Sequence, residues 1–158
     1  MKHIYTIISI SLICSFCTDL EINQKPLTTD IIELESFKRF VTLDGKPSIN
    51  LTFLVRSQIK KSMIDSTISK FVRQNIDAFS TEFSQIGLSF YKESKITNEK
   101  NLRDNPRDLD RYSQENDLLW VYNWNKEKSF MTRTKFKNGK IVNSKSNIRV
   151  TDIDSPKH

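Results

Sequence analysis

Between Ile59 and Phe79, apolar side chains recur at spacings of three, four and five: Ile59, Met63, Ile64, Ile68, Phe71, Val72, Ile76 and Phe79. That spacing gathers them into one stripe along an α-helix of about 20 residues. Lys60, Lys61, Asp65, Lys70, Arg73, Gln74 and Asp77 fall mostly outside it. Ser57 is the natural N-cap. A stripe this broad has to be buried, and the chain has no second strong helix to cover it. The cover is therefore a sheet. The expected class is α+β: an antiparallel sheet of about five to six strands with one long amphipathic helix packed on one face.

The strands can be read around that helix. Residues 31–43 form a first candidate. Asp44-Gly45-Lys46-Pro47 is turn chemistry, with Gly45 supplying positive φ and Pro47 blocking ladder pairing. Residues 48–56 alternate Ile49, Leu51, Phe53 and Val55 against Asn50, Thr52 and Leu54, which completes a hairpin. After the helix, residues 83–92 place Ile86, Leu88 and Phe90 on one face, with Gly87 as a weak point or bulge. Residues 118–124 and 130–136 pair across a turn. Asn138-Gly139 suits a type I′ turn into a short strand at 140–143. In architecture alone this layout resembles small exported domains of the cystatin-like and NTF2-like kind. The resemblance covers no sequence motif and carries no function.

The start of the chain reads as an export signal. Lys2 is followed by an apolar run of about 13 residues, short of the ~20 that span a bilayer. Ser15-Phe16-Cys17 then fits two endings. One is an A-x-A-like cleavage site. In the other Cys17 accepts lipid, since the segment resembles a bacterial lipoprotein signal while departing from it at Phe16. The expected organisation is a signal at 1–17, a tether at 18–30, one domain at 31–150 and a disordered tail at 151–158. The protein is expected in the periplasm, cell envelope or extracellular space.

Residue placement removes much chemistry. The two histidines are His3 and His158, and the two cysteines are Cys14 and Cys17. All lie outside the expected domain, which excludes Ser-His-Asp, Cys-His and His-ligated zinc sites, and a disulfide framework, within it. Three glycines leave no phosphate-cradling Gly-rich loop. No catalytic residue, cofactor or metal is expected.

Two constellations remain. The long polar stretch 94–116 sets Asp104, Asp108 and Asp110 among Arg103, Arg107 and Arg111. The acids do not follow calcium-loop spacing, and an Arg/Asp ion-pair lattice is the simplest reading. The second is the strand carrying Trp120, Tyr122 and Trp124. If Leu119 and Val121 face the helix, these rings line the opposite face beside Arg133 and Lys135. With the other parity they are core. Residues 125–150 hold eight basic residues and one acid, a net of +7. Tyr122, Trp124, Arg133 and Lys135 are thus the candidate binding residues. The expected function is a small interaction domain contacting an acidic protein or an anionic envelope surface, with nucleic acid disfavoured by export. The alternative is a ligand-pocket domain or carboxylate-type enzyme of NTF2-like shape.

Overall fold

The computed structural model describes residues 30–43, 45–104 and 113–153, apart from the side chains of Ser36, Arg103 and Asp104. The first expected strand is split. Ile31–Glu33 (β1) and Arg39–Leu43 (β2) flank a 3-10 turn at Glu35–Phe37. Both pair antiparallel with Lys46–Val55 (β3) and lie end to end along its one edge. Pro47 sits inside β3, opposite Thr42, and does not end the ladder. Its missing N–H is tolerated because pairing on the other side of β3 begins only at Ser48. Its carbonyl accepts 2.9 Å hydrogen bonds from Ser84 N and Ser84 Oγ.

The helix starts later than the stripe suggests. A 3-10 turn at Lys61–Met63 leads into Ile64–Phe79 (α1). Ser57 is not its cap. The Ser57 N–H is taken by Glu93 Oε2 at 2.9 Å, beside the Arg56–Glu93 ion pair.

α1 connects β3 to Gln85–Lys92 (β4), and this changes the sheet. A helix between two neighbouring strands returns the chain in its original direction, so β4 runs parallel to β3, with Ile49 opposite Ile86 and Phe53 opposite Phe90. The sheet is mixed and mostly antiparallel, not wholly antiparallel as expected. Leu118–Asn125 (β5), Phe130–Lys137 (β6) and Lys140–Ile148 (β7) are added antiparallel, in the order β1–β3–β4–β5–β6–β7 with β2 also on β3. At the β6–β7 turn Asn138 and Gly139 have φ of 51° and 70°, as a type I′ turn requires. β7 runs to Ile148, past the short strand expected.

Ile64, Ile68, Phe71, Val72 and Ile76 of α1 are buried in one cluster with Leu51, Phe53, Leu88, Phe90 and Tyr122 of the sheet. The Phe71 ring meets Phe53 edge-on at 5.0 Å and Phe90 at 5.8 Å. A smaller cluster uses the other strand parity: Leu34, Phe37, Leu54, Tyr91, and Leu102 from the helix Glu99–Asp104 (α2). Gly87 marks no bulge; the irregularity lies at Phe90/Tyr91. Gly87 instead makes room, since a Cβ there would lie 2.1 Å from Asn50 Oδ1. Past β7, a 3-10 turn at Val150–Asp152 carries Ile153 into the α1 cluster, where it is 1% exposed. Among the described residues, no helix is long and apolar enough to cross a membrane.

Candidate functional site: a basic groove between the helix and the C-terminal strands

The β5–β6 register sets Trp120 opposite Lys135, Tyr122 opposite Arg133 and Trp124 opposite Met131. Directly opposed residues share a face, so rings and cations are together. That face is the one α1 covers. Trp120, Tyr122 and Trp124 are 6%, 0% and 9% exposed. The arrangement with Leu119 and Val121 toward the helix is not adopted, because the helix stripe takes the parity with the larger apolar surface. Tyr122 and Trp124 are therefore core residues and offer no exposed ring to a partner.

Arg133 and Lys135 lie where the helix stops covering the sheet. An open groove of about 520 Å³ runs there. Its helix wall is Asp65, Ser66, Ser69, Lys70 and Arg73, and its sheet wall is Trp120, Arg133, Lys135 and Asn143. Ile153 also lines it. The α1 positions 66, 69, 70 and 73 follow i, i+3, i+4, i+7, which places them along one flank of the helix.

Asp65 organises one end. It accepts a 2.8 Å hydrogen bond from Trp120 Nε1 on one oxygen and pairs with Lys135 on the other. The Lys135 ammonium is 5.4 Å from the Trp120 ring centroid. Arg133 organises the other end. Its Nη1 donates to the Ile153 carbonyl at 2.7 Å, and its guanidinium carbon is 5.7 Å from the Trp120 ring. Its Nε is buried and has no acceptor among the described residues. Ser69 Oγ and Tyr122 Oη share a hydrogen bond at 3.4 Å.

Among the described residues, four cations and one carboxylate thus line the groove. Sequence reasoning named Arg133 and Lys135 and did not name Lys70, Arg73, Ser66 and Ser69, which line the same groove. Their signal was present: hydroxyls and cations at helical spacing on the polar flank, beside the stripe and not opposite it.

The loop candidates Arg107, Asp108, Asp110 and Arg111 lie outside the described residues, and Arg103 and Asp104 end α2 without described side chains. The two ends of that stretch are joined by a buried polar knot. Ser94 Oγ and Thr97 Oγ1 donate to Asp117 Oδ2 at 2.7 and 2.6 Å, and Thr97 Oγ1 meets Ser113 Oγ at 2.9 Å. Cys17 and the rest of the expected signal and tether up to residue 29 also lie outside the described residues. Among those described, no group of three or more His, Cys, Asp or Glu is placed to hold a metal ion. Compared with known proteins, the chain matches no family model, no curated protein and no solved structure, so the groove itself carries the functional reading.

Proposed function

We propose that the chain is an exported interaction domain that holds an acidic partner against the surface made by the groove and the β6–β7 hairpin. One observation carries this reading. Lys70 and Arg73 of α1 face Arg133 and Lys135 of β6 across the groove. Lys145, opposite Arg133 on β7, continues that face, and Lys137 and Lys140 are exposed at the hairpin end. A concentration of one sign along a cleft raises encounter rates with an oppositely charged partner. Among the described residues of the lining Asp65 is the one carboxylate, which favours ion binding over chemistry needing paired carboxylates. The α1 stripe acts as the cover of one sheet face, leaving its polar flank for the groove.

Lys140 and Lys145 are exposed, so reversing both to Glu leaves the core untouched. Envelope extract passed over the wild type at low and moderate salt is expected to yield an acidic protein that the K140E/K145E double variant fails to retain. Equal recovery on both, independent of salt, would overturn the reading. Intact mass and fractionation test export: the mature chain is expected to begin at Cys17 or Thr18. A diacylglyceryl increment on Cys17 would select the lipid-anchored form.

A further inference from the structure

Resting on that reading, we infer that the groove seats a phosphomonoester group, with Arg133 and Lys70 as its principal donors. The volume of about 520 Å³ is that of a small-ligand site, too small for a folded partner to fill. The lining offers donors in the mixture a tetrahedral oxyanion uses: guanidinium, ammonium, hydroxyl and amide, from Arg133, Lys70, Ser66 and Asn143.

The charge selects among anions. Among the described residues, Lys135 is paired with Asp65, and Lys70 and Arg133 bring two further positive charges to the lining. Asp65 is already engaged by Lys135 and Trp120, so it does not confront an incoming anion at the Arg133 end. A phosphomonoester carries roughly −1.5 to −2 at neutral pH and offsets most of that charge, whereas a single carboxylate offsets one unit.

Arg133 is oriented in advance. The Ile153 carbonyl fixes Nη1, and the Trp120 ring lies close to the guanidinium. Its Nε is the buried donor that lacks an acceptor among the described residues. A guanidinium held this way loses little freedom when it binds, which is where much of the cost of association lies. Trp120 is buried beneath the cations and presents no face for stacking, so recognition rests on the charged head and not on the rest of the ligand.

The test is calorimetric titration of the protein with inorganic phosphate, phenyl phosphate and acetate at fixed ionic strength. Phosphate and phenyl phosphate are expected to bind one to one and about tenfold or more tighter than acetate. Arg133→Gln is expected to weaken phosphate binding by about tenfold, the loss of a charged hydrogen bond. Because Arg133 also holds Ile153, the exposed Lys70→Glu provides a variant whose fold is not at stake, and it is expected to abolish measurable binding. Flotation with phosphatidylcholine vesicles, with and without phosphatidic acid, separates the sources. Selective flotation assigns a lipid headgroup; phosphate binding without flotation assigns a soluble phosphomonoester. Acetate binding as tightly as phosphate, or Lys70→Glu binding like the wild type, would overturn the inference. If partner capture still depends on Lys140 and Lys145 in that case, the acidic-partner reading stands and only the phosphoryl seat is lost.

Discussion

Asp65 Oδ1 accepts a 2.8 Å hydrogen bond from Trp120 Nε1, which ties the first turn of α1 to β5. The two sides of this contact are unequal. Asp65 is about half exposed, so its ion pair with Lys135 adds little stability on its own. The indole N–H is buried and needs an acceptor. Asp65→Ala is therefore expected to cost about 1–3 kcal/mol, the penalty for an unsatisfied buried donor. Asp65→Asn keeps a carbonyl oxygen for the indole and is expected to lose clearly less. Urea unfolding of both variants checks the ranking, and equal losses would show that the charge, not the acceptor, is what matters.

The α1 stripe supplies a second contrast. Phe71 touches Phe53 and Phe90 and is 2% exposed, whereas Met63, on the same stripe by spacing, is 52% exposed. Phe71→Ala is expected to cost about 3–5 kcal/mol. Met63→Ala should change stability by no more than about 0.5 kcal/mol. A loss at Met63 comparable to that at Phe71 would place the first turn differently.

The contrast also shows what was legible. The helix was readable because burial on one side imposes a period on the residues. The β6–β7 turn was readable because only a few residues accept the positive φ that Asn138 and Gly139 adopt. The direction of β4 was not, since alternation looks the same in parallel and antiparallel strands and the connection through α1 decides it. Strand parity at Trp120, Tyr122 and Trp124 was ambiguous for the same reason: both faces of β5 carry apolar residues. The groove needed Asp65 and Lys135 to be neighbours, and no local pattern links positions that far apart.

Gly87 and Asn50 are coupled across β3 and β4. A methyl group at Gly87 meets the end of the exposed Asn50 side chain, which can swing away, and the backbone there needs no positive φ. Gly87→Ala alone is thus expected to be close to neutral, with unfolded-state entropy offsetting the displaced amide. In an Asn50→Ala background the clash is gone, and the same change should stabilise by about 0.4–1 kcal/mol. A double-mutant cycle with no coupling between the sites would show that Asn50 does not restrict Gly87.

Two carboxylates give the stability profile opposite slopes in acid. Glu93 is held below its ordinary value of 4.5, first by the Ser57 N–H and, against some burial, by Arg56. Its contribution is full above that ordinary value and is lost as pH falls through the lowered folded-state value. Glu33 is shifted upward, mainly by burial, which the nearby Lys38 only partly offsets. Ionised Glu33 therefore costs stability above its raised folded-state value, and that cost disappears as pH falls from there toward 4.5. Stability is expected to rise slightly on mild acidification and then fall. Glu33→Gln should remove the rise and Glu93→Gln should remove part of the fall, as followed by unfolding midpoints across that range.

Ile153 closes the groove end by two separable means. Its side chain is buried with the α1 cluster, and its carbonyl accepts from Arg133. Ile153→Ala removes the first and keeps the second, so it is expected to cost about 2–5 kcal/mol, as for other buried Ile or Leu truncations. Ending the chain at Asp152 removes both, and the loss should exceed that of Ile153→Ala by about 1.5–3 kcal/mol, the worth of a hydrogen bond to a charged group. Adding Arg133→Gln to the shortened chain then has little left to break, whereas in the full-length protein it deletes that bond. If Arg133→Gln destabilises both chains equally, the guanidinium is held by the Trp120 ring and not by the Ile153 carbonyl.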